Sequence, residues 1–226
     1  MVNNRSHLTD STSIIQCLLI ACFTLSFNLV CVADDAQPSL SGTNQATILI
    51  MGDSLSAGFG MEASKSWPTL LQQRLVSENL PHQVINASIS GETTNGGLSR
   101  LPQLLRKHEP QIVVIELGAN DGLRGLPLKL MRENLRRMIE ICQQTKARLL
   151  LVGMKLPPNY GPRYTRQFTQ IYIELAEKYH TGVVPFLLTE VATKPELMQT
   201  DGLHPTAAAQ KQLLNTVWPQ LLPLLK

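Results

Sequence analysis

The sequence predicts an α/β protein of three layers, α/β/α, built on a five-stranded parallel sheet. Three observations lead there. Five short runs rich in apolar and β-branched residues recur at positions 47–51, 83–86, 112–117, 148–153 and 183–186, each closing in Gly, Asn or Pro. Segments of helical apolar spacing lie between and after them. Two of the runs, 48–51 and 112–115, are apolar without a break, as central strands covered on both faces require.

In chain order, 47–51 reads as the first strand, and 67–78 follows with Trp67, Leu71 and Leu75 on one helical face. The run 83–86 is the second strand, and 98–108 carries Leu98, Leu101 and Leu105 at helical spacing. The third strand, 112–117, precedes a long amphipathic segment, 128–144, with Met131, Leu135, Met138 and Cys142 in register. Strand 148–153 leads to the helix 164–179, and the short strand 183–186 precedes a terminal helix at 207–222. Strands alternating with helices of this length specify a parallel sheet covered on both sides.

The 226 residues suit one principal domain. A hydrophobic fraction of 43% against 16% charged residues excludes disorder. The net charge of +3 is not clustered and only 5% of residues are aromatic, so nucleic acid is not an expected partner. Positions 11–33 hold no charged residue, follow Arg5, and end in Cys31-Val32-Ala33 before Asp34-Asp35. That is the pattern of a secretory signal peptide, residues 1–33, followed by a polar linker, 34–45, and a domain, 46–226. The same stretch also admits a membrane anchor, or a lipobox at Leu19-Ile20-Ala21-Cys22. Each alternative places the domain outside the cytoplasm, in the periplasm or secreted; the cleaved form has no membrane span. Cleavage leaves Cys142 as the one cysteine, which excludes an internal disulfide and reads as a buried structural thiol. A monomer is expected.

In open parallel sheets, ligands bind outside the carboxyl ends of the strands, so the residues that follow each strand carry the chemistry. After the first comes Gly52-Asp53-Ser54-Leu55-Ser56-Ala57-Gly58. A Ser on a strand-to-helix turn presents its hydroxyl beside free backbone N–H groups; it also reads as a simple helix cap. The segment is neither a Walker loop nor a dinucleotide fingerprint, and Ser56 stands where the Gly-x-Ser-x-Gly elbow needs its second Gly. After the second strand comes Asn86-Ala87-Ser88-Ile89-Ser90-Gly91, in which Gly91 is also readable as an ordinary turn glycine. After the third, Gly118-Ala119-Asn120-Asp121 places an amide either to bridge a turn or to face a developing negative charge. Before the last helix, Asp201-Gly202-Leu203-His204-Pro205 sets a carboxylate three residues ahead of a His, close enough to orient it. Asp53 and Asp121 read as turn residues that bond within their own turns. His82, His108 and His180 read as surface helix ends, and no spacing suits a metal, so neither metal nor other cofactor is expected.

Together, Ser54, Gly91, Asn120 and His204 match in type, order and context the four blocks of the GDSL, or SGNH, hydrolase family, which the chain resembles over about residues 47–219. The resemblance implies a flavodoxin-like fold and a serine esterase. Ser54 would attack an acyl ester, a thioester or a lysophospholipid, His204 would move the proton, and Asp201 would orient His204. The oxyanion would be held by Ser54, Gly91 and Asn120. The family's acyl groove maps onto 122–127 and 156–164, which nominates Leu123, Leu126, Pro157 and Tyr160 as substrate contacts. A carbohydrate acetylesterase of the same fold and a non-catalytic binding module are the competing expectations.

Overall fold

The computed structural model describes residues 45–226; the leader and nearly all of the linker expected from the sequence lie outside the described residues. Five strands, β1 (Ala46–Gly52), β2 (His82–Asn86), β3 (Ile112–Glu116), β4 (Arg148–Val152) and β5 (Gly182–Val184), form one parallel sheet in the order β2-β1-β3-β4-β5. Seven α-helices accompany it among the described residues: α1 (Ser54–Ala57), α2 (Trp67–Ser77), α3 (Thr94–His108), α4 (Ala119–Leu123), α5 (Leu128–Gln144), α6 (Pro162–Tyr179) and α7 (Gln210–Leu221). Helices α2 and α7 pack together as one layer, and α3, α5 and α6 as the other. The α/β/α architecture and the five-stranded parallel sheet expected from the sequence are therefore observed.

The central strands are apolar along 48–51 and 112–115 because both faces are covered. Ile48 to Met51 and Ile112 to Val114 are fully buried, and β1 pairs with β3 from Ile48 opposite Ile112 to Gly52 opposite Glu116. The element boundaries shift where local chemistry intervenes. Helix α3 starts at Thr94 rather than at Leu98, with the Thr93 hydroxyl accepting from the Gly96 N–H at 3.4 Å as a cap; the Gly96-Gly97 pair had masked the helical signal. Helix α6 starts at Pro162, since the first helical position needs no donor. Strand β5 stops at Val184 because Pro185 has no N–H to give a ladder. The short helices α1 and α4 are below the length at which periodicity is readable.

Two sequence expectations about single residues resolve differently. Cys142 on α5 is fully buried, and burial pushes its thiol up to about 12, so it is an inert packing residue as expected. His82 is not a surface helix end: it opens β2 at 4% exposure, where burial lowers its imidazole below the ordinary value, assisted by Arg148. Its neighbour Pro81 suggested a surface turn, but the ladder to β1 pulls the ring inside.

The strand order reverses at β1, whose neighbours on either side are β2 and β3. Connections leaving β1 and β3 depart in opposite directions, which opens a crevice at their carboxyl ends. The residues that follow β1 and β3 are Ser54 and Asn120.

Candidate active site

The turn after β1 is built to expose one hydroxyl. The Asp53 carboxylate accepts the Leu55 N–H at 3.0 Å and caps α1, so Ser54 occupies the first helical position with its side chain in the crevice. Gly58 closes the four-residue helix in the left-handed region at φ 78°. From the far end of the chain, His204 Nε2 lies 2.8 Å from Ser54 Oγ, across 150 positions of sequence. His204 Nδ1 lies 2.6 Å from Asp201 Oδ2, and Asp201 Oδ1 accepts the backbone N–H groups of Leu203 and His204 at 2.9 and 3.0 Å. Asp201 is thus both the hinge pin of its own loop and the imidazole's partner. The hydrogen bond from His204, aided by the two backbone donors, holds its carboxyl down at about 2. Gln199 ties the same loop from outside, its N–H donating to the His204 carbonyl at 2.7 Å and its amide to Phe59 and Pro205 carbonyls. The Phe59 ring covers the imidazole at a centroid distance of 4.5 Å.

Of the three expected oxyanion donors, Ser54 and Asn120 line the same cavity, whereas Gly91 is not among its lining residues. Among the described residues, the backbone N–H groups of Ser54 and Gly91 donate to no other group, and Gly91 sits at φ 79° in the turn after β2. The Asn120 amide donates to Asp53 Oδ2 at 3.1 Å and to the Glu92 carbonyl at 3.0 Å, which links the turns after β1, β2 and β3. Asn120 is placed by Gly118, at φ 120°, where an added Cβ would stand 2.3 Å from the Tyr172 hydroxyl. That residue has both a backbone and a packing reason to be glycine.

Ser54, Asn120 and His204 open onto a cavity of about 440 Å³ whose other walls are mainly apolar, including Leu123, Met154, Leu156, Pro157 and Leu188. Of the four substrate contacts nominated from the sequence, Leu123 and Pro157 line it. Leu126 and Tyr160 do not. The Tyr160 hydroxyl instead donates to the Leu123 carbonyl at 2.9 Å, and that of Tyr164 lies 3.4 Å from the Gly122 and Leu126 carbonyls. These hydroxyls tie the 122–127 segment to the chain after β4. Met154 and Leu188 were missed because the segments after β4 and β5 carry no chemical motif; lining side chains of a groove look like core residues in sequence.

Neither neighbouring aspartate stays within its turn. Asp121 reaches the start of α3, accepting the Thr94 N–H at 2.8 Å and its hydroxyl at 2.6 Å. Asp53 supports Asn120 as well as capping α1. Among the described residues no group of three or more His, Cys, Asp or Glu side chains is gathered for a metal ion.

Residues 50–212 match the model of the GDSL-like lipase/acylhydrolase family. The chain is 49% identical to Esterase TesA of Pseudomonas aeruginosa over 179 residues, 79% of this chain and 89% of that protein. It is 45% identical to Thioesterase 1/protease 1/lysophospholipase L1 of Escherichia coli (strain K12) over 178 residues, 79% of this chain and 84% of the other. Among solved structures, the psychrotrophic esterase EstA of Pseudoalteromonas sp., described as inhibited by monoethylphosphonate, superposes with a TM-score of 0.75 at 42% identity, covering 78% of this chain and 97% of its own. The blocks at Ser54, Gly91 and Asn120 lie inside the matched span, as do Asp201 and His204, and the chain therefore belongs to the GDSL-like lipase/acylhydrolase family and is an ester-bond hydrolase.

Proposed function

We propose that the protein is a serine esterase acting on carboxylic esters and thioesters of apolar acyl chains, lysophospholipids included. The observation that carries this reading is the unbroken hydrogen-bonded line Asp201–His204–Ser54 ending at the mouth of an apolar cavity. Ser54 Oγ attacks the acyl carbonyl while His204 Nε2 takes its proton; the imidazolium that forms faces the Asp201 carboxylate. The oxyanion sits among the N–H groups of Ser54 and Gly91 and the Asn120 amide, which exchanges one of its two present acceptors for it. His204 returns the proton to the departing alcohol or thiol, and water repeats the sequence on the acyl-enzyme. No cofactor enters these steps. The acyl chain lies against Leu123 and Pro157, with Leu126 and Tyr160 shaping the wall from the second layer. The names of the relatives, an esterase and a thioesterase with lysophospholipase activity, support the substrate class.

The charge-free stretch 11–33 supports export, which directs the enzyme to lipid esters outside the cytoplasm; no helix among the described residues is long and apolar enough to cross a membrane. Every group named in the reaction comes from one chain, which supports a functional monomer.

A fluorophosphonate probe tests the nucleophile: it should label the wild type and leave Ser54→Ala unlabelled, and equal labelling would reassign the nucleophile. Decanoyl p-nitrophenyl ester should be hydrolysed faster than the acetyl ester, whereas a strict acetyl preference would favour a carbohydrate acetylesterase. Asn120→Ala should lower kcat by about 100- to 1000-fold with KM little changed; steady-state kinetics on one ester decide it, and a kcat within tenfold of wild type would remove Asn120 from the oxyanion site.

A further inference from the structure

Glu116, the last residue of β3, is a carboxyl group at 0% exposure in a strand otherwise made of Ile and Val. It lies one layer beneath the site. Its Oε2 accepts the Ser56 hydroxyl at 2.8 Å and the Asp53 N–H at 3.3 Å, and the Trp67 indole N–H donates in turn to Ser56 at 3.2 Å. Oε1 is buried and has no donor aimed at it among the described residues. Glu116 meets Asp53 directly through the Asp53 N–H, and the neighbouring Asp53 carboxyl disfavours ionisation of Glu116; a proton on the orphaned Oε1 would turn that atom into a donor for Asp53. Asp53 is itself only 1% exposed, and its Oδ2 holds Asn120.

Among the described residues no arginine or lysine hydrogen-bonds to either carboxyl, and the charge that acts on Asp53 is that of His204. Two carboxylates in contact and out of water cannot both ionise. Burial, reinforced by the Asp53 charge, pushes Glu116 well above the usual carboxylate range; burial raises Asp53 to about 6, against the pull of the Leu55 N–H and of His204. The other titratable groups facing the pair are His204 from the loop before α7 and Tyr172 on α6, which Asp121 on α4 also faces.

Gly52 shows how closely this arrangement is built. Its φ lies outside the positive region, yet a Cβ there would stand 2.6 Å from Ser56 and 2.7 Å from Glu116 Oε2. The backbone of β1 is stripped to let the buried carboxyl approach.

We propose that Glu116 is a positioning residue for the oxyanion site: its Oε1 carries a proton donated to the Asp53 carboxyl, which fixes Asp53 so that its outer oxygen aims the Asn120 amide at the substrate. The proton stays on Glu116 through the reaction and no bond to substrate is made. The inference rests on the reading of Asn120 as an oxyanion donor, and it assigns a chemical state to a residue that lies outside the reacting groups.

The test combines two variants with a spectroscopic measurement on the intact protein. Glu116→Gln keeps the shape, an acceptor for Ser56 and an N–H donor for Asp53, and should retain kcat within about threefold of wild type. Glu116→Ala removes the donor and should lower kcat by about 10- to 100-fold with KM within threefold, less than deletion of an oxyanion donor outright. With ¹³C-labelled glutamate, one carboxyl signal should remain at its protonated position at pH 7 in the wild type and in Ser54→Ala, and should be missing from Glu116→Gln. A full set of ionised glutamate signals at pH 7 overturns the proposal even if Glu116→Ala fails to fold, and so does a folded Glu116→Ala with wild-type kcat. Because the carboxyl signal is read without turnover, its loss is distinguishable from failure of the esterase assignment, which would show as activity surviving in Ser54→Ala.

Discussion

Replacement of Ser54 by Ala is expected to lower kcat by about 10⁶-fold on any ester the wild type hydrolyses. On the proposed mechanism the alanine removes the one atom that would bond to the acyl carbon, and His204 would be left with no hydroxyl at 2.8 Å to deprotonate. The oxyanion donors and the cavity remain, so substrate binding should persist and residual hydrolysis by water should still exceed the uncatalysed rate. Ser54 is partly exposed at the start of a four-residue helix capped by Asp53, not by its own side chain, and the variant should therefore melt close to the wild type. Single-turnover measurements with a chromogenic ester would check both halves; an initial burst of released alcohol in the variant would mean that another side chain forms the acyl-enzyme.

The second large effect is expected from Asp201→Asn, at about 10⁴-fold in kcat. Asn retains an oxygen for the Leu203 and His204 N–H groups, so the loop should keep its shape. Its NH₂ now faces His204 Nδ1 and donates to it, which forces the imidazole proton onto Nε2, the atom that must accept from Ser54. Geometry survives and the tautomer is wrong. The pH dependence follows from the sign of the shift. A carboxyl held down at about 2 keeps its charge throughout the acid range in which the enzyme can be assayed. Loss of wild-type activity on acidification above about pH 3 is therefore not the protonation of Asp201. A pH–rate profile checks this: the variant should be depressed at every pH, and recovery of wild-type rates at any pH would contradict the orienting role.

The order of elements was legible because β1 and β3 are apolar without a break, and because α5 repeats its buried face at Met131, Leu135, Met138 and Cys142. The turns that hold Ser54, Gly91 and Asn120 were legible because strand ends in a parallel sheet announce themselves in Gly and Asn, and His204 because a carboxylate stands three residues ahead of it in one loop. Less of the surroundings could be read. Met154 and Leu188 line the cavity from segments with no motif, and Leu126 and Tyr160, nominated from the segments that match the family's acyl groove, are not among its lining residues. Residue type in a loop does not say which way a side chain faces. His82 was misplaced because a Pro beside it suggested a turn, while pairing with β1 decided its burial. Glu116 left a signal that could have been used: a lone carboxylate ending a strand whose other four residues are aliphatic and which is buried on both faces.

The hydroxyl and its imidazole come from opposite ends of the polypeptide, and His204 precedes only the last helix and its tail. On the proposed mechanism, a chain whose 201–204 loop has not yet docked would hold its nucleophile without an acid–base partner. Hydrolytic competence would then arrive in one step, when that loop settles on the turn after β1.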